Sequence, residues 1–229
     1  MDKQHIVSKK RVADYGEVYT HKQEVNAMLD LVKQETERID SRFLEPACGT
    51  GNFLAEVLAR KLRVVESRYK KSQLEYERNS VLAVSSIYGI DIMQDNVAKC
   101  RERLFNLFDK SYTHLYKTTA KNECRNTVQY IMEKNIIHGN ALTLKTAGDN
   151  PLPIVFAEWS PVNGSMLKRR DFSFKALLTC GEEPKQMSFL NEPERLNMFS
   201  DLGDYVFIPR PEKEYPLTHF LEVADVDKQ

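Results

Sequence analysis

The chain has 229 residues, 41% of them apolar, and a formal net charge of zero, which supports one folded domain with at most an appendage. The charge is uneven, with 11 acids and 5 bases in residues 181–229 against 22 acids and 28 bases in residues 1–180; a basic body with an acidic tail fits nucleic-acid contact and equally an ordinary solvated surface. Cys48, Cys100, Cys124, Cys180 and five scattered histidines make no metal-ligand spacing, and neither an apolar signal core nor a run of about 18 apolar residues is present, so the chain reads as a metal-free, membrane-free, cytoplasmic protein with reduced thiols.

Residues 1–20 are polar and read as partly extended. Val25, Met28, Leu29 and Val32, spaced i, i+3, i+4, i+7, predict a helix over 24–36. Ser41 to Leu44 forms a first strand, ended by Glu45. The turn Pro46-Ala47-Cys48-Gly49-Thr50-Gly51 then leads into a helix from Asn52 to about Val65, with Phe53, Val57 and Leu58 on its inner face. Glycine lets backbone N–H groups approach a ligand closely, and the helix start adds N–H groups and partial positive charge. A nucleotide-like ligand is one reading of this turn; an ordinary strand-to-helix connection is the other. The charged stretch 66–80 reads as an exposed helix or an insertion.

A second strand, 85–90, ends at Asp91 and Ile92. Asp95 is a candidate cap for the next helix, where Val97, Cys100, Leu104 and Leu107 keep helical spacing. Another helix covers about 126–134. Residues 135–139 form a third strand running into Asn140-Ala141-Leu142, and 153–157 a fourth. After about 158 the pattern dissolves into basic Lys168-Arg169-Arg170 and a Pro- and Glu-rich tail, in which Tyr205 to Pro209 is a possible edge strand. Strands alternating with helices predict an α/β fold with a doubly wound, mostly parallel sheet over 1–160, followed by an irregular extension over 161–229. Ligands of such sheets bind at the carboxyl ends of the strands, where Glu45–Gly51, Asp91 and Asn140 all fall.

Asp91 suits the hydroxyls of a ribose, or caps a helix. Asn140 offers an adenine edge both donor and acceptor, or simply holds a turn. Leu44-Glu45-Pro46-Ala47-Cys48-Gly49-Thr50-Gly51-Asn52-Phe53 resembles motif I of S-adenosylmethionine-dependent DNA methyltransferases, adenine-N6 enzymes in particular. Tyr88-Gly89-Ile90-Asp91-Ile92 resembles their motif II, and His138-Gly139-Asn140-Ala141-Leu142 their motif III, with Asn140 in place of the usual acid. Gly16-Glu17-Val18-Tyr19-Thr20 resembles motif X, with His21 where proline is usual. The order X, I, II, III is that of the gamma-type enzymes, and the resemblance spans about residues 11–145.

The resemblance implies a class I, Rossmann-like methyltransferase fold and S-adenosyl-L-methionine as cofactor. It would be held by Tyr19, Thr20, Glu45, Pro46, Ala47, Cys48, Gly49, Gly51, Asn52, Asp91, Ile92, Asn140 and Ala141. It also implies DNA as substrate and a catalytic Asn-Pro-Pro-Tyr after the fourth strand, whose acceptors hold the target amine while its ring stacks on the flipped base. The chain has no Pro-Pro dipeptide. Ser160-Pro161 stands at that place as half a motif, and Trp159 is either a stacking ring or a core residue. The reading is therefore the cofactor-binding part of a split or truncated adenine-N6 DNA methyltransferase of a restriction–modification system, its Asn-Pro-Pro-Tyr supplied by a second polypeptide or by a lost C-terminal segment. The rivals are a methyltransferase acting on another nucleophile and a catalytically degenerate cofactor-binding subunit.

Overall fold

The computed structural model describes residues 20–178 and 209–228. Three parallel strands lie in the order β1 (Phe43–Glu45), β2 (Ile87–Asp91), β3 (Ile136–Asn140), and the two-residue β4 (Lys145–Thr146) pairs antiparallel with β3. Helices α1 (Lys22–Asp30) and α2 (Lys33–Thr36) precede this sheet. The crossovers that parallel pairing requires are α3 (Asn52–Tyr69) with α4 (Gln73–Ser85), and α5 (Gln94–Tyr116) with α6 (Asn122–Asn135).

Helix α3 buries Leu54, Val57, Leu58, Leu62 and Val65 at helical spacing, with Lys61 on the same buried side. The Lys61 ammonium donates to the carbonyls of Ile39 and Ser41 and to the Ser86 hydroxyl. It thereby ties α3 to the amino ends of β1 and β2, and burial draws its pKa down to about 7. The charged stretch 66–80 is helical and not an insertion: it spans the end of α3, the exposed residues 70–72 and the start of α4. Helix α4 packs against both α3 and α6 and buries Tyr76, Glu77, Val81 and Val84. Its charge is satisfied inside: Glu77 accepts from the Tyr112 hydroxyl at 2.5 Å and from Gln73 and Lys121 at 2.8 Å each.

The fourth strand departs from the expected topology. Strand β5 (Val155–Pro161) pairs antiparallel along its whole length with β6 (Met166–Ser173), and not with the parallel sheet. Asn163-Gly164 reverses the chain between them, with Gly164 at φ +56° and hydrogen bonds Val162 N–H to Met166 O and Met166 N–H to Asn163 O. A turn this tight makes the next segment an antiparallel neighbour, leaving no room for a crossover. The doubly wound arrangement is thus replaced on one face. Gly89 faces Leu54 of α3, whereas Tyr88 and Ile90 lie under Ile154, Phe156 and Phe174, at or next to the ends of this hairpin.

The expected boundary at residues 160/161 falls inside β5. After β6 come the short α7 (Phe174–Leu178) and, later in the chain, β7 (Lys213–Glu214) and β8 (Thr218–His219), both paired with β6. The described end of the chain is therefore attached to the body, and Thr127 of α6 donates to the Phe220 carbonyl at 2.9 Å. Cys180 and Tyr205–Ile208 lie outside the described residues. No helix among the described residues is long and apolar enough to cross a membrane.

Candidate functional site

Glu45, Asp91 and Asn140 end β1, β2 and β3, so three adjacent strands deliver one polar residue each to a common rim. The loop after β1 is pinned to β2 twice. The Cys48 N–H donates to the Ile90 carbonyl at 2.9 Å, and the Gly49 N–H donates to Asp91 Oδ2 at 2.9 Å. Gly49 and Gly51 adopt φ of +52° and +80°, a region that side chains disfavour. At Gly51 a Cβ would also lie 2.6 Å from Cys100 Sγ of α5. At Gly49 a Cβ would meet nothing within 4 Å, so the loop opens onto free space beside the Asp91 carboxylate. Gly51 then starts α3, its carbonyl accepting from Ala55 N–H at 2.8 Å, and the first amides of that helix have no partner within it.

Asp91 is buried. Besides Gly49, it accepts at Oδ1 from the Met93 N–H at 2.8 Å and from Asn96 Nδ2 at 3.2 Å. A carboxylate offers about four acceptor positions, so one remains for an incoming donor. Asp91 thus anchors the start of α5. Glu45 is half-buried; desolvation raises its pKa, opposed by the hydrogen bond from the Ala47 backbone. The neighbouring Cys100 thiol and burial push the Cys48 thiol well above its ordinary range, which leaves it a packing group and no nucleophile.

Asn140 Oδ1 accepts from the N–H groups of Leu142 at 2.9 Å and Thr143 at 3.3 Å, so its oxygen holds a turn. Its Nδ2 makes no hydrogen bond among the described residues. Ile92 is exposed, and its carbonyl lies 3.0 Å from His138 Nε2. Ala141 packs beside the Tyr88 and Ile90 cluster, while Pro46 and Ala47 are exposed in the loop. Asn52 Oδ1 is taken by Arg103 of α5. Asn52, Arg103 and Lys22, at the start of α1, share a cavity of about 310 Å³. Thr20 is exposed just ahead of α1, and Tyr19 lies outside the described residues.

Ser160 and Pro161 are not brought to this rim. Residue Ile154, just before β5, packs with Ala141 and Leu144 near the carboxyl end of β3. Farther along, Trp159 Nε1 donates to Asn135 Oδ1 at 3.4 Å, just ahead of β3, and Glu158 pairs with Arg42, just ahead of β1. The strand thus runs back toward the amino ends. The Ser160 hydroxyl donates to Glu158 Oε1 at 2.7 Å. Trp159 is a core residue, edge-on to Tyr130 with ring centroids 6.1 Å apart.

Two contributors escaped the sequence reading. Asn96 and Cys100, one turn apart on α5, face the Asp91 carboxylate and the Gly51 loop respectively. Their i, i+4 spacing is shared with the core positions of the same helix, so it does not single them out.

A model of the MmeI DNA-methyltransferase domain family matches residues 19–149, more than half of the chain, from just ahead of α1 to just past β4. No curated protein and no solved structure matches it.

Proposed function

The chain belongs to the MmeI DNA-methyltransferase domain family, and from that footing we propose that it is the S-adenosylmethionine-binding part of a split or truncated adenine-N6 DNA methyltransferase of a restriction–modification system. One observation carries the reading: the 2.9 Å hydrogen bond from Gly49 N–H to Asp91. It makes the loop of β1 and the acid of β2 one unit, with open space at Gly49 and one acceptor left on Asp91.

S-adenosyl-L-methionine fits this donor set. Asp91 would accept from a ribose hydroxyl, Glu45 would face the cationic end, and Asn140 Nδ2 would donate to the adenine edge beside the exposed Ile92. The loop Pro46-Ala47-Cys48-Gly49 with Gly51 and Asn52 would back the ligand with main chain, Ala141 would border the adenine, and Tyr19 and Thr20 would close over the methionine end. When bound, the cofactor supplies an electrophilic methyl group on a sulfonium sulfur. The chain's own contribution is orientation.

The split or truncated state is inferred from what the rim lacks among the described residues. The target amine needs paired acceptors and its base needs a stacking ring; the sequence holds no Pro-Pro dipeptide, and Ser160-Pro161 lies toward the amino ends of the strands.

Titration calorimetry with S-adenosylmethionine tests the first half, and a silent titration overturns it. Tritiated methyl transfer to adenine-rich duplex DNA tests the second. The expected result is little transfer by the chain alone and robust transfer after addition of a polypeptide carrying Asn-Pro-Pro-Tyr. Turnover by the chain alone, lost in Ser160→Ala, overturns the split enzyme. Cofactor binding without transfer in either condition assigns the chain as a degenerate subunit.

A further inference from the structure

Helix α5 is longer than the sheet it crosses. Its 23 residues span about 34 Å, against about 17 Å for the five residues of β2. It starts at the rim, so about half of it projects beyond the amino ends of the strands. Tyr76 of α4 packs there, its ring 6.2 Å from that of Tyr112 and 5.3 Å from that of Tyr116. Two chain connections meet at this far end. The Tyr116 hydroxyl donates to the Lys70 carbonyl at 3.2 Å, and Gln73 Nε2 donates to the Thr119 carbonyl at 2.7 Å.

The outer face of α5 is basic. Arg103, Lys110, His114 and Lys117 fall at i, i+7, i+11 and i+14, one row along the helix, and all four are exposed. The row covers about 21 Å, the rise of about six base pairs of duplex. It starts at Arg103, in the cavity shared with Asn52 and Lys22, and ends beside Lys70 and Lys71, both exposed. Arg103 and these four lysines make no ion pair among the described residues. The acids of the helix are held elsewhere, Asp95 by Lys99 and Asp109 by Arg125. Glu102 stands about a quarter turn from the row, and Glu66 of α3 is half-buried. Residues 110–121 hold no acid at all. Lys117 also ends the helix at φ +47°, a conformation that glycine holds at no steric cost and lysine does not. The position therefore carries a lysine against the preference of its backbone.

Lysine is depleted from protein–protein interfaces, whose centres are apolar. Lysine, arginine and hydroxyl side chains are what contact phosphates, and Ser72, Thr118 and Thr119 stand exposed at the same far end. Resting on DNA as the substrate, but not on how the catalytic motif is supplied, we infer that this face of α5 is a second DNA contact. It is a track for one sugar–phosphate backbone, leading from the rim to the Lys70 and Lys117 end and reading no sequence.

The test uses the full chain with S-adenosylmethionine and a fluorescein-labelled duplex, titrated by anisotropy at several salt concentrations. Lys110→Ala and Lys117→Gly are each expected to weaken binding about fivefold at about 0.1 M salt. Each should flatten log K against log salt by about 0.9, and the double variant by about 1.8. Lys117→Gly also relieves the backbone, so its melting temperature is expected to hold or rise while DNA affinity falls; a lysine kept for folding alone would show the reverse. Lysine acetylation read by mass spectrometry is expected to be suppressed by duplex at Lys110 and Lys117 and spared at Lys33 of α2.

Unchanged affinity and salt slope in the double variant overturn the track and leave DNA standing as the substrate. No duplex binding at about 50 mM salt, in protein that binds the cofactor, overturns the track and leaves the cofactor site standing. Polyglutamate that displaces the duplex at equal concentration of charge gives the face to an acidic polypeptide and overturns the proposal.

Discussion

At Gly51 two demands meet in one residue, a φ of +80° and a Cβ position 2.6 Å from the Cys100 thiol. Gly51→Ala should cost about 2–4 kcal/mol, from a left-handed backbone worth about 1 and overpacking worth about 1–3. Cys100→Ala in the same chain removes the clash and leaves the backbone strain. A double-mutant cycle by urea unfolding should therefore show coupling of about 1 kcal/mol or more, and additive losses would mean that the thiol is not what Gly51 accommodates. Asp91 is structural as well as a ligand candidate. Asp91→Ala strips the acceptor from Gly49, Met93 and Asn96 and should lower stability by about 2–4 kcal/mol, since each stranded donor is worth about 1–3. Asp91→Asn, which keeps one oxygen, should recover part of it. A variant that loses cofactor affinity at full stability would show that these bonds do not hold the loop. Glu45, Gly49, Asp91 and Asn140 were legible in the sequence because glycine and polar residues punctuate otherwise apolar strand ends. Asn96 and Cys100 were not, because inside a periodic helix a site residue carries the same signal as a core residue.

Among the elements, β1, α3, β2, α5, α6 and β3 were legible because each buries a regular apolar pattern, and β6 was not. Its buried positions include Arg169 and Asp171, so alternation by hydropathy fails; only Asn163-Gly164 marked the hairpin. Arg169 grips Asp171 at 2.7 and 2.8 Å, donates to Tyr130 at 2.6 Å and Asp227 at 3.1 Å, and lies 4.0 Å over the ring of Tyr215. It thereby clasps the last described segment onto β6 and α6. Arg169→Met should cost about 3–5 kcal/mol by stranding the Asp171 charge, while Arg169→Met with Asp171→Leu should cost much less; equal losses in urea unfolding would contradict that account. The junction of α3 with β1 and β2 gives a pH signature through Lys61. Its folded pKa lies at about 7 because burial disfavours the charge, against an unfolded value of about 10.4. Below pH 7 both states hold the proton and the native state bears the full desolvation penalty. Between the two values the unfolded state binds more protons, so stability rises with pH across that window. Lys61→Met should flatten the rise between pH 7 and pH 10 in urea unfolding, and an unchanged slope would refute a buried, depressed Lys61.

Across the whole molecule, a net charge of zero conceals a basic body and an acidic end, and the fold brings the two together. Glu214 pairs with Lys168 at 3.0 Å, and Asp227 pairs with Lys134 at 2.5 Å and Arg169 at 3.1 Å. Arg170 pairs with Glu158 at 3.0 Å, and Arg169 is 6% exposed. The run Lys168-Arg169-Arg170, which in sequence looks like a phosphate-binding patch, is neutralised residue by residue. Nonspecific DNA binding by the isolated chain should be weak and salt-sensitive, but this run should contribute little to it. Each lysine or arginine that contacts a phosphate steepens the fall of log K against log salt by about 0.9. Lys168→Ala and Arg170→Ala should thus leave both affinity and salt slope unchanged in titrations of duplex DNA at several salt concentrations. Glu214→Gln, which frees Lys168, should strengthen binding and steepen the slope by up to about 0.9. A slope that falls in Lys168→Ala with Glu214 intact would show that DNA displaces the ion pair, making the acidic end a competitor for the nucleic-acid face and no mere clasp.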